Sequence, residues 1–381
     1  MRAFGMRVAQ AASAVWLAVA LLAPPAAADT ITVGLDDLAM RAGDAIWIGH
    51  SSVIGADIAA GGGISVDRDS SLAGLYANKN VWVGRDVTVA GRVLANTTAN
   101  ADRGLNLTGD WTGSSVWFGR EADATGNVIA RTGQISIDRD GRIAGNVLGN
   151  HNIYLAQNTA VAGDVSPGVG RSLLRGSGVT IAGSTAPAPA AGDTFALPDV
   201  GPAPDRGVLG SSSIWKGNNT TTALEAGAYR DLGFGRHVAL GLSAGTYTMK
   251  NFWMDREGRV TVDTTAGDVI LNVHKNFSTG HSVVFDKVGD GDFVINVFGS
   301  EMWLEHDAVL NAQVRVWNGD FGAGHDSMLT GSIWAGDDIS IDHGANVSLG
   351  ARAVPEPGSL ALIALGGVLM RQRRKWRPLP S

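Results

Sequence analysis

The chain has 381 residues, no cysteine, 52 glycines, 17% charged residues and a formal net charge of −6. Without cysteine there is neither a disulfide framework nor a thiolate metal site. An acidic chain also has no electrostatic attraction for nucleic acid.

The first segment reads as an address. Arg2 and Arg7 precede an apolar stretch from Ala11 to Leu22, and Ala26-Ala27-Ala28 stand before Asp29. This order of basic start, apolar centre and small exit residues predicts a secretory signal peptide over 1–28, cleaved after Ala28 by the secretion machinery. The apolar run is too short for a transmembrane anchor and ends at Pro24-Pro25.

Residues 29–183 repeat. Ile46-Trp47-Ile48-Gly49, Val81-Trp82-Val83-Gly84, Val116-Trp117-Phe118-Gly119 and Ile153-Tyr154-Leu155-Ala156 align without gaps. Their starting positions give a regular period of about 35 residues. Each is followed by an apolar pair: Ile54/Ile58, Val89/Val93, Ala124/Val128 and Val161/Val165. Gly91, Gly126 and Gly163 stand inside these pairs, with Ala56 in the first unit. A half-period appears in Ile64-Ser65-Val66 and Ile135-Ser136-Ile137, each midway between two aromatic segments. Short β-branched runs with period-2 alternation are strands, and Gly, Asn and Asp between them are corners. A rung of about 17–18 residues cannot bury its apolar side alone, so rungs must stack. The expected fold is all-β, a right-handed parallel β-solenoid (β-helix). A β-sandwich spaces its strands similarly but does not produce a matched long period.

Residues 184–207 form a stiff proline-alanine linker, with Ala186-Pro187-Ala188-Pro189-Ala190-Ala191 followed by Pro198, Pro202 and Pro204. A second β-rich region follows over 208–353. Leu224-Glu225-Ala226-Gly227-Ala228-Tyr229 recurs there as Leu242-Ser243-Ala244-Gly245-Thr246-Tyr247, one rung further on. This region reads either as a separate solenoid or as a continuation of the first with the linker looped out.

The last segment is a second address. Val354-Pro355-Glu356-Pro357-Gly358 holds an extended peptide, because two prolines in three positions forbid a helix. Gly358 to Met370 is apolar, and Arg371, Arg373, Arg374, Lys375 and Arg377 form a basic stop at its end. Residues 354–377 resemble the PEP-CTERM sorting signal of Gram-negative bacteria, also labelled an ice-binding protein C-terminal domain. That resemblance implies recognition of Val354, Pro355, Glu356 and Pro357 by exosortase, a transient inner-membrane anchor, and final delivery to the cell surface or extracellular matrix. The apolar run 358–370 reaches only about 20 Å as a transmembrane helix, short of the roughly 30 Å hydrocarbon core, which suits a processed anchor. Loss of Arg2, Arg7, the five basic tail residues and Glu356 takes the net charge from −6 to −12. The body loosely resembles bactofilin and adhesin solenoids, which share short Gly-Asx corners around stacked V-x-V strands.

Four aromatics are the foremost candidate surface. In Val81-Trp82-Val83 the valines share one side of the strand, so Trp82 takes the other. Inward valines would align Trp47, Trp82, Trp117 and Tyr154 outward, about 10 Å apart, with Ser65 and Ser136 in the gaps. Such a ladder stacks against sugar rings or contacts a neighbour laterally. The carboxylates of Asp67-Arg68-Asp69 and Asp138-Arg139-Asp140 have the acid–base chemistry of β-helical polysaccharide lyases and hydrolases. Their recurrence at matching positions points instead to solvated corners, and no catalytic residue is assigned. Asp286, Asp290 and Asp292 around Gly289 and Gly291 have the look of a calcium loop but lack an EF-hand register. The eight histidines show no i, i+4 ligand pair, although His274 and His281 could meet across a rung; no metal or cofactor is assigned.

Together these features predict a non-enzymatic, exported, exosortase-processed structural or adhesive protein associated with exopolysaccharide or biofilm, capable of self-association through open strand edges. The rivals are a carbohydrate-active β-helix enzyme and an ice-binding protein, the latter disfavoured by irregular threonine placement.

Overall fold

A computed structural model describes residues 29–350. The expected signal segment and the sorting tail, with the apolar helix expected over 358–370, lie outside the described residues. Within them the chain is an all-β parallel solenoid with no α-helix. Three parallel sheets of 15, 15 and 14 strands run side by side and enclose one continuous apolar core. Fifteen layers spaced by about 4.8 Å make a rod of roughly 70 Å.

Each layer visits the faces in a fixed order. Leu38–Ala42 lies on the first face, Ile46–Ile48 on the second and Val53–Ile54 on the third; Asp57–Ala60, Ile64–Val66 and Ser71–Leu72 repeat the circuit. Alternation decides what is buried. Ile46 and Ile48 are buried while Trp47 between them is exposed, and the apolar pairs Ile54/Ile58 and Val89/Val93 are buried on the other two faces. At the corner between those faces, a Cβ on Gly126 would lie 2.2 Å from the carbonyl oxygen of Gly109. Backbone there approaches too closely for any side chain.

The corner leaving the second face is built differently. One residue in each layer has positive φ: twelve are non-glycine, among them Ser51, Asp69 and Asp140, and Gly104, Gly178 and Gly344 complete the set. The left-handed conformation costs an L-residue about 1–2 kcal/mol. The return is a ladder along the whole edge, in which the N–H of that residue donates to a carbonyl of the next layer, as in Ser51 to Arg68, Asp69 to Arg85 and Asp307 to His325.

Layers are not stacked in chain order. The layer beginning at Leu38 sits at mid-rod. From it the chain winds to one end at Thr180–Ile181, returns along the first face, and starts again at the opposite end with Ile214–Lys216. It then winds to Asn346–Ser348, which pairs with Val53–Ile54. Gly43, Gly49 and Val53 N–H groups donate to Ala335, Ile341 and Ala345 carbonyls at 2.7–2.9 Å across this join. The two β-rich regions thus share all three sheets.

The proline-alanine segment is a strap rather than a free loop. Phe195 packs its ring 5.6 Å from that of Tyr76, in a small cluster with Leu38, Ala59 and Leu94 on the outside of the first face. Thr194–Phe195 pairs with Thr30–Ile31. Asn96 grips it by donating to the Phe195 carbonyl at 2.7 Å and accepting from the Phe195 N–H at 2.8 Å; Asn150 does the same at Ala190, at 2.7 and 2.8 Å. Arg131 ties the strap to the sheet, donating to the carbonyls of Ala95 and Asn96 beneath it and to that of Asp193 within it. Burial lowers the affinity of the Arg41, Arg131 and Arg315 guanidinium groups for their protons, and burial, followed by the Asp57 charge, pushes the Tyr76 hydroxyl up to about 12.

Two expectations are corrected. Rung length is not uniform: the successive partners Phe252, Phe277 and Met302 are further apart along the chain than first-region partners such as Val81 and Ala99. The cause is strands such as Val269–Val273 and Val284–Val288, which reach five residues. The wider cross-section is filled by Phe252, Phe277, Phe285 and Phe293, with ring centroids 4.6–6.3 Å apart, where the narrow layers use valine and alanine. The constant offset of the Leu224–Tyr229 repeat also fails midway along its motif. Leu224 pairs with Leu242, but Gly227 pairs with Tyr247, two residues beyond its expected partner Gly245.

Candidate functional site: an exposed aromatic column

The second face carries one outward residue per layer, and these residues form a single file. From one end it reads Trp215, Gly233, Trp253, Ser278, Trp303, Gly322 and Ser340. Across the mid-rod join it continues with Trp47, Ser65, Trp82, Asn100, Trp117, Ser136, Tyr154 and Leu174. Trp47, Trp82, Trp117 and Tyr154 therefore share one column, as their spacing predicts, with Ser65 and Ser136 in the expected gaps. The strap does not cover them: Trp47, Trp82 and Trp117 are 40–47% exposed.

Three further members, Trp215, Trp253 and Trp303, escape the sequence reading. Trp253 and Trp303 have a similar local signal, an aromatic between buried apolar neighbours, but the longer layers around them carry them off the period of the first region; Trp215 is followed by exposed Lys216 and lacks that signal. Seven aromatics thus stand at every second layer, about 10 Å apart. The exception is the join, where Gly322 and Ser340 fall together.

The gaps are small for a steric reason. A Cβ on Gly233 would lie 2.1 Å from the Trp215 ring, and one on Gly322 would lie 2.0 Å from the Trp303 ring. These indoles reach over the neighbouring layer, with the Cε3–Cζ3 edge of each ring above the glycine. Between Trp117 and Tyr154 the column opens into a shallow depression that also includes Asp138, Leu174 and Arg175. Flat aromatic faces at a regular interval stack on the apolar faces of sugar rings without selecting one hydrogen-bonding pattern.

The other sequence candidates sit elsewhere. Asp67 and Asp138 each accept the N–H of the following arginine, at 2.7 and 2.8 Å, and Asp69 and Asp140 are the left-handed corner residues. Asp138 is also 3.7 Å from Arg120, and Asp140 accepts from Asn158. These carboxylates are parts of the repeated corner. Asp286, Asp290 and Asp292 do not converge: Asp286 pairs with Arg259 on the third face, and the Asp292 N–H donates to Asp268. His274 and His281 do not meet. His274 lies against Phe298 and bonds the Arg206 carbonyl, whereas His281 lies against His306. The sorting residues Val354, Pro355, Glu356 and Pro357, the basic stop, and the cleavage position Ala28 lie outside the described residues.

The described residues thus define an all-β parallel solenoid with one exposed aromatic file. The chain carries a PEP-CTERM protein-sorting motif, whose family model matches residues 353–375. That motif implies export, anchored transit at the membrane and processing by exosortase. No curated protein and no solved structure matches the chain.

Proposed function

We propose that this protein is a non-catalytic rod of the cell surface or extracellular matrix that binds exopolysaccharide along its aromatic column and associates with copies of itself. The observation that carries the reading is the column itself, seven aromatics in register over fifteen layers, with glycine or serine at every position between them except Asn100. A structural rod needs no aromatic on its outside, since exposed indole is costly in water and invites aggregation. A surface for an extended sugar chain needs stacking platforms at intervals near a disaccharide repeat. The sorting motif supports this by routing the chain out of the cytoplasm. The corner placement of Asp67, Asp69, Asp138 and Asp140 supports a non-catalytic role.

The test is retention of the exported protein in gels containing the producing organism's polysaccharide. Truncating two platforms, Trp82→Ala with Trp117→Ala, removes about 1–3 kcal/mol of stacking and lowers affinity by about five- to 150-fold. Melting temperature should stay near that of the parent, because both rings are on the outside. Undiminished retention of the double variant refutes the column as the binding surface. Release of reducing ends or unsaturated products, abolished by Asp138→Asn with Asp140→Asn, replaces the reading with an enzymatic one.

A further inference from the structure

The corner that leaves the second face holds an unassigned set of histidines. The residue whose carbonyl accepts the corner ladder bond is His281, His306, His325, His343 and His50 in five successive layers. Their rings form one file: His281 lies 4.8 Å from His306 at a tilt of 52°, and from His306 the rings stack, 3.6 Å to His325, 4.9 Å to His343 and 4.7 Å to His50. The file crosses the mid-rod join, and arginine occupies the same position in the adjacent layers on either side, Arg256 and Arg68.

Charge decides which ligand suits this edge. Among the accepting residues and their chain neighbours, seven arginines face thirteen carboxylates, so the edge is net acidic and draws cations. Arginine is always protonated and cannot ligate, whereas neutral imidazole is a metal donor. At one end of the file the donors converge. His281, Glu305 and His306 offer ligand atoms that all lie within 4.8 Å of one another. Glu305 Oε2 is 3.9 Å from His306 Nε2, and its other oxygen accepts from the Trp303 indole N–H at 3.3 Å. That bond turns one carboxylate oxygen toward the histidines and ties the site to the aromatic column. The other charged and titratable groups around it are Arg256, at the same position in the layer next to His281; His325, stacked on His306 and 3.1 Å from Asp326; Asp307 beside His306; and Glu257, whose N–H donates to the His281 carbonyl and whose carboxylate lies 2.9 Å from His237.

We propose that His281, Glu305 and His306 bind a divalent first-row transition metal such as Zn²⁺. Two imidazoles and one carboxylate are a common zinc donor set, with bonds of about 2.0–2.2 Å. Tetrahedral donors would stand about 3.3 Å apart, so closing the present spread asks for shifts of about 1.5 Å in side chains at the surface. The fourth position is left for water or a donor from another molecule. Calcium and magnesium prefer all-oxygen sites and do not suit this one.

The test is Zn²⁺ titration of the exported protein, followed calorimetrically. One saturable site per chain is expected, weakening at acid pH as protons compete for the imidazoles, and unaffected by excess Ca²⁺ or Mg²⁺. His281→Ala with His306→Ala abolishes it. Trp303→Phe, which leaves all three ligands but frees Glu305, weakens it about tenfold. His274 lies against Phe298, outside the histidine file, and His274→Ala binds as the parent does. Circular dichroism establishes that the variants keep the β-rod. Absence of a saturable site in the parent, or full binding by the folded double variant, overturns the proposal.

Discussion

Gly322 illustrates how a residue without a side chain shapes a surface. With no Cβ it gives room for the Trp303 ring, whose Cε3 would otherwise stand 2.0 Å from it. Gly322→Val should therefore lift that indole off the sheet while leaving the inward neighbours Phe321 and Ala323 buried. The expected result is red-shifted tryptophan emission and weaker polysaccharide retention with a modest fall in melting temperature. An emission spectrum unchanged in the folded variant would show that the ring does not depend on this gap. The glycine was not legible as functional from sequence, because nothing in Phe321-Gly322-Ala323 indicates that its partner across the ladder is Trp303. The four aromatics of the first region were legible, since layers of near-constant length there keep them on a visible period. The histidine file was not. Its members are unevenly spaced along the chain, and its last step jumps from His343 back to His50.

The strap shows the limit of composition as a guide to an element. Repeated Pro and Ala predict a stiff, extended segment, and residues 184–207 are extended. Composition carries no signal for where such a segment lies; that depends on Asn96 and Asn150, which look like ordinary corner residues in sequence. Tyr76 supplies a pH test of the strap. Its hydroxyl is held in the neutral form by burial against Phe195, with a pKa raised to about 12 from the ordinary value of about 10. A raised folded-state pKa contributes stability that is complete below the unfolded value and is lost as pH rises through the folded one. Melting temperature should therefore fall between about pH 10 and 12, and cleavage by protease within the strap should increase over the same range. Tyr76→Phe has no proton to lose and should flatten that part of the curve. Superimposable pH curves for parent and variant would mean that Tyr76 stays protonated, or that its surroundings do not hold the strap.

The permuted stacking order has a consequence for the rod as an object. Both ends of the described chain lie near its middle: Asp29 is beside the strap at Asp193, and Asn346–Ser348 is the strand adjoining Val53–Ile54. Neither end of the described chain therefore caps a tip of the solenoid. At one tip Leu173–Arg175 and Thr180–Ile181 have an unpaired edge; at the other, Ile214–Lys216 and Thr221–Leu224 do. All strands are parallel, so the two edges are complementary rather than alike, and tip-to-tip contact is head-to-tail, which propagates instead of closing. The mid-rod join shows that such contact suffices for stacking, for the layers at Ile339–Ile341 and Ile46–Ile48 are held by hydrogen bonds and core packing with nearly the whole chain between them. The partly buried Ile181 and Ile214 offer the same apolar continuation at the tips. We expect the exported protein to form filaments of one-rod width as concentration rises, seen by electron microscopy and by light scattering. Ile181→Lys places a charge within the tip and should hold the protein as single rods of unchanged β-content. Single rods of the parent at millimolar concentration, or filaments of the lysine variant, would show that the tips do not pair.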